Sequence, residues 1–108
     1  MRYVFDLDGT LCTSTESQYS AAEPIEQRIK FLNDLYDSGH HITILTARGM
    51  STYKNDAKKA HDRWYDLTKE QLSSWGVKHH ELFLGKPAGD FYIDDKAVKD
   101  VEFFSEDK

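Results

Sequence analysis

The sequence predicts an α/β domain built on a mostly parallel sheet, and three observations predict it. Short apolar runs alternate with amphipathic stretches at helical spacing. The runs Tyr3-Val4-Phe5 and Ile42 to Leu45, rich in β-branched and aromatic residues, read as buried strands. Acids, a hydroxyl and a lysine fall at or just beyond the C-terminal ends of the predicted strands, the edge where open α/β sheets bind ligands.

The elements follow in order. The first strand leads into Asp6-Leu7-Asp8, and a polar loop runs from Thr13 to Ala22. Pro24 then opens a helix in which Ile25, Ile29, Leu32, Leu35 and Tyr36 recur at helical spacing, with Gly39 at the C-terminal cap. After the strand at Ile42 to Leu45, residues 50–65 read as a helix with Ala57, Ala60, Trp64 and Tyr65 inward. A further helix is expected from a Thr68–Gln71 capping box and a Leu67–Leu72 staple, stopping at Gly76. Glu81 to Leu84, Phe91 to Ile93 and Val101 to Phe104 read as later strands. Only six residues, Gly85 to Asp90, separate the first two of these, whereas parallel neighbours ordinarily need a crossover of about a dozen or more. Either the 81–84 run is not a full sheet member or the connection is unusual.

A length of 108 residues fits one domain, expected to span 1–108. Hydrophobic residues make up 39% and charged residues 31%, the balance of a soluble globular chain. No stretch approaches a membrane span. Arg2 is followed within six residues by Asp6 and Asp8, which does not fit a signal peptide, so a cytoplasmic protein without membrane partners is expected. A formal charge of -5 gives no general attraction to nucleic acid or anionic lipid. The single cysteine, Cys12, excludes an internal disulfide, fits a reducing compartment, and reads as a small loop residue rather than a reactive thiol.

The most informative residues are Asp6-Leu7-Asp8-Gly9-Thr10. Alternation along a strand lets Asp6 and Asp8 share one side while Leu7 packs behind. Two carboxylates this close repel and need neutralising, and Gly9 allows a sharp turn with close backbone approach to a ligand. An acidic surface turn would show the same five residues, so the companions decide. Thr46 ends the second strand in Leu45-Thr46-Ala47-Arg48-Gly49, Lys86 lies in Gly85-Lys86-Pro87, and Asp94-Asp95 follows Phe91-Tyr92-Ile93. A solvated charge run would not place all of these at strand ends.

In these four motifs the chain resembles the haloacid dehalogenase superfamily of phosphohydrolases, from Tyr3 to about Val101. Within it, Leu45 to Arg48 together with Gly85 to Ala97 resembles small capless members linked to capsule or polysaccharide biosynthesis. The resemblance implies a Rossmann-like three-layer sandwich with a mostly parallel central sheet. It implies Asp6 as the nucleophile that forms an aspartyl-phosphate, and Asp8 as the acid and base that protonates the leaving oxygen and then activates water. An acid at the Asp8 position matches the family's phosphatases and phosphomutases rather than its pumps or dehalogenases.

Asp6, Asp8, Asp94 and Asp95 are hard oxygen donors without nearby Cys or His, which suits Mg²⁺ over zinc. By resemblance Asp6 and Asp94 supply carboxylate oxygens, Asp8 a backbone carbonyl, and Asp95 acts directly or through water. Thr46 and Lys86 are candidate phosphate-binding residues, with Ala47 and Arg48 on the same loop. Arg48 either contacts substrate or pairs with an acid. His40, His41, His79 and His80 lack metal spacing and read as surface residues, and Trp64, Trp75 and the tyrosines as packing.

The intervals between motifs hold about one helical crossover each, leaving no room for a cap domain. An open site covered at most by the loop from Cys12 to Ala22 is therefore expected, and such a site can borrow a lid from a second subunit of a homo-oligomer. The resemblance implies a small phosphorylated metabolite, foremost a sugar phosphate, as substrate. A nucleotide or nucleic-acid end phosphatase is the alternative enzyme, and a phosphorylatable switch domain the alternative outside enzymes. A hydrolysing acid beside Asp6 favours turnover over a switch.

Overall fold

The apolar runs at Tyr3 and Ile42 form neighbouring strands because their alternate residues bury one shared face. The computed structural model describes residues 1–105 and contains β1 (Arg2–Phe5), β2 (His41–Thr46) and β3 (Glu81–Leu84). The sheet order is β1-β2-β3, all parallel, with Tyr3 beside Ile42, Phe5 beside Ile44, and Thr46 beside Leu84. Three helices accompany it, α1 (Glu26–Asp37), α2 (Ala57–Ser74) and α3 (Asp100–Phe104), with a 3₁₀ turn at Tyr19–Ala21.

Phe5, Ile42 and Ile44 share the main hydrophobic cluster with Ile29 and Leu32 of α1, Leu72 of α2 and Phe104 of α3. Removing such side chains from water is the chief stabilising term of the fold. On the opposite face Val4 and Phe83 stay 64% and 50% exposed. The two faces of this sheet are thus unequally covered.

Glu81 to Leu84 is a full sheet member, as its pairing with β2 shows. Phe91 to Ile93, expected as a strand, pairs with nothing among the described residues and lies exposed. The connection is unusually short: its six residues fall below the dozen or more that a crossover to another parallel strand ordinarily takes. Val101 to Phe104, also expected as a strand, lies in α3. Phe103 and Phe104 meet Phe5 of β1 and Phe31 of α1 edge-on or tilted, so tertiary packing overrides the strand preference of these aromatics.

The expected pair of helices between residues 50 and 76 is one helix. Asp56 caps α2 by accepting from Lys59 N at 3.1 Å, which starts it seven residues later than expected. Thr68 stands mid-helix, its hydroxyl donating to Trp64 O at 2.8 Å instead of capping a terminus. Gly39 and Gly76, at positive φ, follow the ends of α1 and α2 as expected.

Among the described residues an Arg28–Asp100 ion pair ties α3 to α1. Arg28 is buried and donates to Asp100 Oδ2 at 2.7 Å and to Thr10 O at 3.1 Å. The Arg28 hydrogen bond holds the Asp100 carboxyl below the usual carboxylate range. A depressed folded-state pKa means the contribution is complete above the unfolded value and fades as pH falls through the folded one. Asp100→Asn should therefore lower stability by about 1–2 kcal/mol at neutral pH, because a buried guanidinium loses a partly exposed partner. In thermal melts the gap to the wild-type protein should narrow as pH drops below about 4.

Candidate active site

The acid motif leaves β1 in a tight turn, with Thr10 N and Leu11 N donating to Leu7 O at 3.0 and 2.8 Å. Gly9 takes φ +83°, a conformation a side chain would strain. Leu7 is fully buried behind the turn, leaving Asp6 and Asp8 half-buried at the C-terminal end of β1. This is the strand-end arrangement expected from the alternation of side chains.

Asp6 is held from two sides. Thr10 Oγ1 donates to Asp6 Oδ2 at 3.0 Å, and Lys86 Nζ stands 3.4 Å from Asp6 Oδ1. Lys86 reaches it from just beyond β3, where Gly85 N and Lys86 N both donate to Thr46 O at 3.1 and 3.2 Å. Its ammonium also lies 4.3 Å from the centre of the Tyr92 ring.

Asp8 is clamped by Arg48. Arg48 Nε donates to Asp8 Oδ2 at 2.9 Å and Nη2 to Asp8 Oδ1 at 3.0 Å, a two-pronged pairing. The guanidinium is wholly buried, and Nη1 donates to Thr68 Oγ1 at 3.1 Å and Gln71 Oε1 at 2.6 Å. Of the two roles open to Arg48, the structure shows pairing with an acid; its donors are spent inside the protein and do not point to substrate. Cys12 Sγ lies 3.4 Å from Asp8 Oδ1, and burial, with Asp8 adding to it, pushes this thiol up to about 12. An inert thiol is the result.

Thr46 is buried at the end of β2, where its Oγ1 accepts from Arg48 N at 3.2 Å. Ala47 lines an open cavity of about 450 Å³ with Ser51, Ala88, Gly89, Asp90 and Tyr92, on the same edge of the sheet. A larger cavity of about 540 Å³ between α1 and the end of α2 lies among Ile29, Asn33 and Trp75, away from these acids.

The loop over the site is anchored by Tyr19. Gly49 N donates to Tyr19 Oη at 2.9 Å, Gln71 Nε2 to Tyr19 O at 2.6 Å, and the ring packs edge-on to Trp64 at 4.8 Å. Gly49, at φ +79°, leaves space that a Cβ would take within 2.8 Å of Trp64 Cδ1 and 3.1 Å of Ala60 Cβ. Tyr19, Thr68 and Gln71 are site residues that sequence reasoning missed; each meets the motifs only through the tertiary fold. The histidines lie elsewhere. His41 and His80 stack at 4.6 Å near the N-terminal ends of β2 and β3, and Ile42 N donates to His80 Nδ1 at 3.0 Å.

The four expected metal donors do not assemble within this chain. Among the described residues no group of three or more His, Cys, Asp and Glu side chains is placed to hold a metal ion. Asp94 and Asp95 lie exposed on the unpaired segment, where Lys96 N donates to Asp94 Oδ1 at 3.0 Å, the main cause of a lowered Asp94 carboxyl pKa. Asp94 and Asp95 do not stand beside Asp6 and Asp8 of the same chain, because the segment that carries Asp94 and Asp95 is not in the sheet.

The Arg48 clamp yields a direct test. Arg48→Met keeps the length of the side chain but leaves the Asp8 carboxylate, Thr68 and Gln71 without their shared donor. Breaking a buried pair from one side costs about 3–5 kcal/mol, so chemical denaturation should show a loss near the lower end of that range, Asp8 being partly exposed.

Known proteins share this architecture. A family model of haloacid dehalogenase-like hydrolases matches residues 3–66. A Mycoplasma genitalium protein, named provisionally as a phosphatase, is 30% identical over 95 residues, which cover 88% of this chain. That stretch spans only 30% of the relative's own length. A crystal structure of a Vibrio cholerae protein superposes with a TM-score of 0.88 at 36% identity, covering 96% of this chain and 87% of that one. The fold is Rossmann-like, and the chain belongs to the haloacid dehalogenase-like hydrolase family.

Proposed function

We propose that this chain is a phosphomonoester hydrolase with Asp6 as its nucleophile. The observation that carries the reading is the placement of Asp6 between Thr10 Oγ1 and Lys86 Nζ, next to Asp8, at the C-terminal end of β1. Family membership and the phosphatase name of the Mycoplasma genitalium relative support it.

In the proposed first step an Asp6 carboxylate oxygen bonds to phosphorus as the bond to the leaving oxygen breaks. Such a transition state asks mainly for positioning and charge neutralisation. Lys86 supplies a positive charge beside the nucleophile, and Thr10 fixes its rotamer. Asp8 is the proposed carrier of the proton to the leaving oxygen and from the water that releases Asp6 and inorganic phosphate. The Arg48 clamp engages both Asp8 carboxylate oxygens, so donation to the leaving group requires Asp8 to turn partly out of the clamp. Thr46 and Ala47 border the proposed phosphate site.

The inferred cofactor is Mg²⁺, on the strength of hard carboxylate donors at Asp6, Asp8, Asp94 and Asp95. When bound, it would neutralise charge between carboxylate and phosphate. The donor set is complete only where an Asp94–Asp95 segment reaches the end of β1.

A small phosphorylated metabolite, foremost a sugar phosphate, is the proposed substrate class. No Lys or Arg occurs between Leu11 and Pro24, so a polyanion leaving past this loop meets hydroxyls, acids, one amide and apolar groups but no cationic side chain. No described helix is long and apolar enough to cross a membrane, and a cytoplasmic setting is inferred from the single buried cysteine.

Purified protein should release phosphate from an aryl phosphate with Mg²⁺ and stop with excess chelator. Asp6→Asn should abolish turnover, and Asp8→Asn should lower it by about 10²–10⁴. A folded Asp6→Asn protein that keeps most of its activity would remove Asp6 as nucleophile. In competition, a phosphosugar should outperform a 3′-phosphorylated oligonucleotide in kcat/KM. The opposite order, with an advantage lost steeply on adding salt, would mark a nucleic-acid end phosphatase instead.

A further inference from the structure

We propose that the segment Phe91–Asp95 of one chain docks as a strand along the free edge of β1 in a second copy, reciprocally, so that each active site is completed by the other chain. Three features of the molecule converge on this pairing.

The first is an unpaired edge. β1 is an outer strand of the sheet, and its other side carries no strand among the described residues. An open edge is a template for a further strand. The second is an unpaired strand-like segment. Phe91 and Ile93 are 85% and 97% exposed, flank Tyr92, and lead into the acids that the site lacks.

The third feature is that the segment does not reach the edge of its own chain. Gly85 N and Lys86 N are bonded to Thr46 O at the end of β2, and Ala88 N to Asn55 Oδ1 at 3.0 Å. Only Gly89 and Asp90 then remain before Phe91. Three Cα–Cα steps span at most about 11 Å. Passing from β2 over β1 to the position beyond takes two strand spacings, about 10 Å, and starting a parallel strand at the level of Tyr3 adds a descent of about 10 Å. From a start over β2, where Lys86 is bonded, the diagonal of about 14 Å exceeds the three steps left after the Ala88–Asn55 bond. A second copy related by a two-fold axis presents its β1 edge from outside and removes this constraint.

The alternation of side chains fits the docked state. With Asp94 level with Asp6, Phe91 and Ile93 stand level with Tyr3 and Phe5, on the face where Phe103 and Phe104 already pack. Tyr92 then stands level with Val4, on the exposed face. The same register carries Asp94 and Asp95 to the end of the sheet that holds Asp6 and Asp8. What the completed site does rests on the hydrolase reading above; how the copies pair does not.

The test separates the two. Sedimentation of the full chain should show a two-chain species, and Ile93→Asp should shift it to one chain with an unchanged far-ultraviolet dichroism spectrum. Val4→Cys protein, refolded together with Tyr92→Cys protein and oxidised, should form a disulfide-linked dimer, whereas Phe83→Cys in place of Val4→Cys should not. Refolding Asp6→Asn together with Asp94→Asn should restore about a quarter of wild-type turnover, because random two-fold pairing gives half mixed dimers with one intact site each. A one-chain wild-type species, or no Val4→Cys to Tyr92→Cys link, overturns the exchange. A cross-linked wild-type dimer that hydrolyses no phosphomonoester upholds the exchange and overturns the hydrolase reading alone.

Discussion

The two-pronged bond between Arg48 and Asp8 is the constraint on which the rest of the site depends. It joins the turn after β1 to the turn after β2, and through Thr68 and Gln71 it reaches the middle of α2. A guanidinium buried without such partners would be strongly unfavourable. Satisfying it therefore dictates where three elements meet, and the direction of Asp8 is one result. Gln71 extends the same network to Tyr19, so the loop above the acids is positioned by the charge beneath them. A buried polar network of this kind specifies an arrangement more than it adds net stability.

Asp6 experiences a different environment. Its neighbours are a hydroxyl and an ammonium at a partly open surface, and both leave the carboxylate room to meet a ligand. Two acids separated by one residue are thus given unlike settings, one clamped and one available. Different roles for paired carboxylates commonly arise through such unequal surroundings.

Much of this was legible in the chain because the relevant signals are local. The D-x-D-G-T turn, the β-branched run at Ile42 and the glycines closing α1 and α2 act through nearby backbone, and each lies where its pattern indicates. The errors came from residues whose state is decided at a distance. Thr68 and Gln71 have the spacing of a capping box, but their side chains serve Arg48 inside one long helix. Val101 to Phe104 has strand-like composition, yet a cluster of aromatics makes it helical. For Arg48, sequence left two roles open, since burial is a property of the fold. The short connection before Phe91 was visible from the start as a strain on parallel topology, and the exposed run is its structural counterpart.

Cys12 has a consequence outside catalysis. Its sulfur is sealed beneath the loop, and the high pKa leaves almost no thiolate under ordinary conditions. Reaction with a thiol reagent therefore needs the surrounding turn to open first, exposing the sulfur and freeing it from the field of Asp8. The chain carries, without any added label, a clock for local breathing of the segment that bears its acids: the slower the native thiol is modified, the more firmly that turn is shut.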